Sequence, residues 1–290
     1  METSTDDDGD PATAQIRLLM LCIALAISFQ PAHKRIPVVF KPPLQKEAPV
    51  AKKTKAPPLK KRSKKKLYLT FDDGPNRGTK NVLHIVQDEE VPVTFFVVGE
   101  HVFASAVQHQ LWDSLQIANH IEICNHSYSH ANGRYEKYYG QPDSVVKDFK
   151  RTQDSLGLTN AIVRTPGRNI WRVDTLQYTD LKRSAAAADS LQKAGFVVMG
   201  WDLEWHFDHK TMSVTTAADD LVRQIDSAFA RRRMKIADHL VILAHDQVYQ
   251  HSSDSQQLRT FLQLLKKKGD YEFALMTAYP LIAQDSLAQR

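Results

Sequence analysis

Five short clusters in this 290-residue chain carry side chains suited to acid–base or metal chemistry. The first is Asp72-Asp73, which ends the alternating run Leu67-Tyr68-Leu69-Thr70-Phe71 and precedes Gly74-Pro75. The alternation predicts a half-buried strand, and Gly-Pro ends it. Neighbours in a strand point to opposite faces, so one carboxylate can hold a cation while the other accepts a proton. The second cluster holds His126 and His130, four residues apart. Two imidazoles at that spacing can face one metal from a helix or tight turn. No Glu follows His126, which excludes the helical metalloprotease motif. With Asp73 they make a set of one carboxylate and two imidazoles. That set suits a divalent metal with an open position for water, or non-haem iron.

The other three clusters supply supporting groups. Arg164-Thr165-Pro166-Gly167 offers a guanidinium fork that can orient a carboxylate, and backbone amides that can face an oxyanion. Trp201 to Asp208 contains Asp202, Glu204 and Asp208 with Trp201 and Trp205, the makings of a sugar-binding wall. His245 ends the apolar run 240–244, and imidazole is the natural proton donor near neutral pH.

Each cluster follows an apolar run, and these runs define the elements that position it. Strands are predicted over 67–71, 94–98, 121–124, 161–164, 197–201, 240–244 and 272–275. Helices are predicted between them over 79–89, 103–116, 144–156, 174–193, 217–232 and 255–267. Repeated β-then-α argues a parallel sheet covered by helices. About seven such strands predict an α/β fold of the distorted or incomplete (β/α) barrel kind. Such a barrel gathers its chemistry at the rim where the strands end.

Charge divides the chain into three parts. Residues 1–30 hold one basic and five acidic side chains, residues 31–66 thirteen basic and one acidic, and residues 67–290 twenty-four basic and twenty-seven acidic. The net +5 therefore comes from a tail, and a domain of net −3 is not built to bind nucleic acid. Residues 18–29 read as the apolar core of an export signal or an anchor, which predicts a periplasmic, cell-envelope or secreted protein. Residues 31–66, rich in Lys and Pro, read as a linker, able to tether the chain to a membrane or another anionic surface. Cys22 and Cys124 are the two cysteines, so the domain from residue 67 on has no internal disulfide.

The segments TFDDGP (70–75), HSYSH (126–130), RTPG (164–167) and LAHD (243–246) together resemble, in order and spacing, the polysaccharide deacetylases: the NodB-homology domain of family 4 carbohydrate esterases. The resemblance covers residues 67 to about 280 and implies a NodB-type barrel of about seven strands. It implies a hydrolase that removes N-acetyl groups from N-acetylglucosamine units of a peptidoglycan- or chitin-like glycan, acting as a monomer. Related alternatives are an O-acetyl esterase acting on a xylan-type polysaccharide and an inactive carbohydrate binder on the same fold. By resemblance, Asp72 is the general base, Arg164 orients it and His245 is the general acid. Asp73, His126 and His130 bind the metal, usually Zn2+, with Co2+ or Ni2+ also serving. Gly167 stands where the family often has Tyr. It keeps the N–H that would face the oxyanion but lacks a ring wall. Glu204 is the acid expected to tune His245, and Trp201 and Trp205 are expected to line the substrate.

Overall fold

The computed structural model describes residues 64–282. The expected export signal, and the expected linker up to residue 63, lie outside the described residues. Lys65 and Lys66, expected to close the linker, instead open the first strand.

In chain order the elements are β1 (Lys65–Gly74), α1 (Thr79–Asp88), β2 (Val93–Val97), α2 (Gly99–Val102), α3 (Ala106–Ile117), β3 (Ile121–Asn125), α4 (Tyr135–Tyr139), α5 (Pro142–Leu156), β4 (Ile162–Val163), β5 (Ile170–Val173) and β6 (Leu176–Thr179). There follow α6 (Ala185–Lys193), β7 (Val197–Val198), β8 (Leu203–Glu204), β9 (Phe207–Asp208), β10 (Ser213–Val214), α7 (Ala218–Ala230), β11 (His239–His245), α8 (Ser252–Lys268) and β12 (Tyr271–Phe273). One sheet runs β6-β5-β7-β4-β3-β2-β1-β11-β8, and β12 pairs with the start of β1. From β7 to β8 all pairs are parallel. The sheet curls into a half-barrel whose end strands, β6 and β8, do not pair, so the expected distorted barrel is found open.

All seven expected strands are present, and the differences have local causes. Residues 174–193 were expected to be one helix, but β6 occupies 176–179 and pairs antiparallel with β5. Asp174 turns that hairpin at φ +46°, and the helix starts only at Ala185. Cross-strand pairing along Ile170–Val173, with Trp171 wholly buried, outweighs the helical propensity of a short segment. β9 and β10 form a separate hairpin.

Side-chain alternation gives the sheet two cores. Leu67, Leu69 and Phe71 of β1, Val93, Phe95 and Val97 of β2, and Leu240, Ile242 and Ala244 of β11 face outward. They pack on residues of α1, α3, α7 and α8, including Val82, Leu115, Leu221 and Phe261. Tyr68, Phe96, Cys124, Ile162, Met199 and Val241 face inward and fill the barrel with Trp171 and Tyr279. α5 and α6 cover the β4–β7 side through Phe149, Ala188 and Leu191.

Strand register sets the site. Asp72 lies opposite His245 on one neighbour and Phe96 on the other. Val97 lies opposite Asn125, which in turn lies opposite Val163. The residues just past these positions are His126 and Arg164, so every chemical cluster emerges at the same level of the sheet.

Candidate active site

β1 supplies both aspartates, but not by simple alternation. Its register against β2 shifts between Asp72 and Gly74, and Asp73 stands at φ +77°. This is a β-bulge with its extra residue in the left-handed region, which aspartate tolerates better than most side chains. In regular alternation Asp73 would follow Leu69 and Phe71 into the helix-facing core. The bulge returns it to the concave rim beside Asp72, so the two carboxylates do not face opposite ways as the sequence implied.

The imidazoles arrive on a loop held by its own polar groups. Asn125 Oδ1 accepts from the Ser127 amide at 2.8 Å, and Ser127 Oγ accepts from the His130 amide at 3.1 Å. Ser127 and His130 both sit at positive φ, +68° and +47°. The result brings one donor atom each from Asp73, His126 and His130 within 4.8 Å of one another. His126 Nε2 is 3.4 Å and His130 Nε2 3.1 Å from Asp73 Oδ1.

These residues fit a divalent cation. His126 Nδ1 lies 2.9 Å from the Arg164 carbonyl, which can only accept, so Nδ1 carries the proton and Nε2 presents its lone pair. Asp73 Oδ1 is buried and finds no hydrogen-bond donor among the described residues, the state of a ligand atom waiting for a cation. Burial opposes ionisation of Asp73, yet His126 and His130, with His245 farther off, hold its carboxyl well below the usual carboxylate range. Burial likewise opposes a charge on His126, but Asp72 and Asp73 raise its pKa.

Arg164 is the keystone of the open barrel. Wholly buried, its guanidinium donates to Asp72 Oδ1 at 2.8 Å, Thr70 Oγ1 at 2.6 Å, the Met199 carbonyl at 3.2 Å and the Gly200 carbonyl at 3.0 Å. It therefore ties the ends of β4 and β7 across to β1, where no ladder closes the sheet. Burial pulls its pKa down and Asp72 resists. Asp72 Oδ2 lies 3.7 Å from His126 Nε2, leaving the carboxylate oriented at the rim beside the three-ligand group. His245 stands next to it across the ladder, its ring 5.0 Å from Phe207, and its buried Nδ1 has no hydrogen-bond partner among the described residues.

Other expected residues are placed differently. Glu204 faces His206, with Oε1 3.7 Å from its Nδ1, and does not pair with His245. Asp202 accepts from the backbone amides of Lys235 and Val241, and Asp208 from those of Lys210 and Thr211. Trp205 is not a substrate wall. It is 1% exposed, packs at a tilt against Phe261 and edge-on against Tyr249, and donates to the Thr216 carbonyl. Alternation explains this: Leu203 and Trp205 face the outer core and Glu204 the other side. Trp201 is part-exposed, with its ring 5.9 Å from the Arg164 guanidinium, and so stays near the site.

Gly167 sits exposed at φ +60°. A β-carbon there would meet the Tyr135 ring at 3.0 to 3.4 Å. Tyr135 thus places a ring beside Gly167, and it packs edge-on against His130 at 5.9 Å. Tyr139 fixes the same loop by donating to the Pro166 carbonyl at 2.6 Å.

The sequence reading also passed over Asp246. It is wholly buried and accepts from Asn76 and Thr79, tying the turn after β1 to the end of β11. Burial pushes its pKa up to about 7 against those two donors. A β-carbon at Gly74 would fall 2.5 Å from its carboxylate, which is the local need for glycine there. Its adjacency to His245 at a strand end was the available signal.

Residues 59–196 match the polysaccharide deacetylase family. The chain is 41% identical to a chitooligosaccharide deacetylase of Rhizobium leguminosarum over 104 residues, 35% of this chain and 39% of that protein. It is 23% identical to a peptidoglycan-N-acetylglucosamine deacetylase of Bacillus cereus over 237 residues, 79% of this chain and 77% of that one. Its fold superposes on a CE4 esterase of Streptococcus mutans with a TM-score of 0.54 at 24% identity, covering 73% of this chain and 86% of the other. The half-barrel with its Asp-His-His rim is thus similar, over residues 59–196, to the polysaccharide deacetylase family.

Proposed function

We propose that the protein is a metal-dependent hydrolase that removes N-acetyl groups from N-acetylglucosamine units of a peptidoglycan- or chitin-like glycan. The observation that carries this reading is the convergence of Asp73, His126 and His130 within 4.8 Å, beside an Asp72 clamped by Arg164. Zn2+ is the cation we assign, since one carboxylate and two imidazoles suit it with a position left open. When bound there, it would polarise the acetyl carbonyl and acidify a water.

The protein's own groups do the rest. Asp72 takes a proton from the attacking water, and Arg164 holds that carboxylate in place. Gly167, held by the Tyr139–Pro166 bond, presents its amide to the developing oxyanion. His245 gives a proton to the departing amine, a step that an amide needs more than an ester does. Action as a monomer, export through residues 1–30 and tethering through residues 31–66 belong to the same proposal.

The test is acetate release from N-acetylchitooligosaccharides, peptidoglycan and acetylxylan, with and without a chelator. N-acetyl substrates should release acetate, and chelator should stop it until Zn2+ is restored. Release from acetylxylan alone would make the enzyme an O-acetyl esterase. No release from any glycan by zinc-loaded protein would leave a carbohydrate binder.

A further inference from the structure

A cavity of about 690 Å3 adjoins the turn that carries Asp73, and the proposed chemistry does not use it. Its wall includes Arg77, Lys80, His101, Gln108, Gln247 and Gln250, and no carboxylate is among the described residues that line it. Three of these side chains hold the catalytic turn. His101 Nδ1 meets the Asp73 carbonyl at 2.8 Å, Gln108 donates to the Pro75 carbonyl at 3.0 Å, and Gln247 donates to Asp73 Oδ2 at 3.3 Å. An occupant of the cavity therefore lies one side chain away from the metal-binding carboxylate.

The charge of this wall is unlike its surroundings. The domain from residue 67 on is net −3. Elsewhere its cations are often neutralised in place, as Arg223 is by Asp219 and Asp220, and Arg259 by Asp88 and Glu89. Arg77 and Lys80 are exposed at the cavity and form no ion pair with a described carboxylate. An Arg fork, an ammonium and several amide donors, with no acid among them, make a binding set for an anion.

We propose that this cavity is a subsite for an anionic substituent, a carboxylate or a phosphate ester, borne by the glycan next to the unit being deacetylated. The inference rests on the deacetylase reading of the neighbouring site. It gives that enzyme a preference for charged over neutral glycans.

The experiment compares chitopentaose, carboxymethylated chitopentaose and phosphorylated chitopentaose. Equilibrium binding is measured on zinc-loaded full-length Asp72→Asn protein, where turnover is blocked, and acetate release on the parent enzyme. The anionic pentamers should bind about tenfold more tightly than the neutral one, an advantage that falls away at about 0.5 M salt. Adding Arg77→Gln and Lys80→Gln should erase the advantage and leave affinity for neutral pentamer unchanged. Equal binding of all three, or equal weakening of all three by the two substitutions, overturns the proposal. The stronger of the two anionic ligands identifies which group the site takes. Charge preference without acetate release from any pentamer would overturn the deacetylase reading and leave the anion site standing. Acetate release without charge preference would do the reverse.

Discussion

The two faces of β1 are the most informative contrast in the molecule. Leu67, Leu69 and Phe71 point at the helices and are wholly buried among other hydrocarbon side chains. Tyr68, Thr70 and Asp72 point into the barrel and grow more polar toward the rim. Tyr68 closes the far end on Tyr279, Thr70 donates to the Ile242 carbonyl, and Asp72 meets Arg164. One strand thus holds the fold with one face and the chemistry with the other. The bulge at Asp73 is where the two roles meet, since it moves a residue from the first face to the second.

Substitutions on the two faces should therefore separate stability from activity. The largest effect belongs to Asp72→Asn. Removing the base should lower kcat by about 10³-fold or more, and zinc should still bind, because Asp73, His126 and His130 are intact. Metal content and turnover measured on the same sample test this. Turnover near the parent rate would mean that the proton goes elsewhere. Arg164 loses its charge partner in this variant, so some loss of stability is expected as well.

Phe71→Ala, one residue away, should do the opposite. Its ring lies 5.4 Å from Phe95 and 5.9 Å from Tyr249, with no exposure to solvent. Truncation should cost about 3 to 5 kcal/mol of unfolding free energy, read from denaturant midpoints. The kcat of the molecules that remain folded should change little. A comparable fall in kcat at unchanged stability would show that the two faces are not independent.

His245→Ala should have a smaller effect on rate, about 10²-fold on N-acetyl substrates, because only the proton to the leaving amine is lost. On an activated acetyl ester, whose leaving group needs no proton, the loss should be slight. Equal losses on amide and ester would remove His245 from the acid role.

How far the sequence could be read follows the same division. The inner and outer faces of β1, β2 and β11 obey a period of two, so the core and the level of the strand ends were visible. The clusters at Asp72, His126, Arg164 and His245 end those strands and met as expected. What the period could not show was its own interruption. The bulge at Asp73 depends on pairing with β2, a strand distant in sequence, and the hairpin at Ile170–Thr179 on a turn at Asp174 and the burial of Trp171, neither of which a period reveals. Trp205 was misplaced for a related reason: its exposure depends on which face of the two-residue strand β8 looks outward. Tyr135 at Gly167 and Asp246 beneath the Gly74 turn are contacts across loops, for which no local pattern exists.

The smallest prediction concerns an acid expected to share in the chemistry and found in a structural role. Asp202 accepts two backbone amides, from Lys235 at 2.9 Å and Val241 at 3.0 Å. Burial nonetheless raises its pKa from 3.8 to about 6, and the amides and Lys235 only partly oppose that. Between those two values the folded chain holds a proton that the unfolded chain has released. Stability conferred at this position must therefore fall as pH rises from about 4 to 6, by at most about 1.4 kcal/mol per pH unit, and then level off. Asp202→Asn removes the titration. The parent and the variant should then differ in unfolding free energy by an amount that changes across pH 4 to 6 and is flat above it. The parent loses ground to the variant as pH rises. A difference that stays constant through that window would mean that the two amides hold Asp202 ionised throughout.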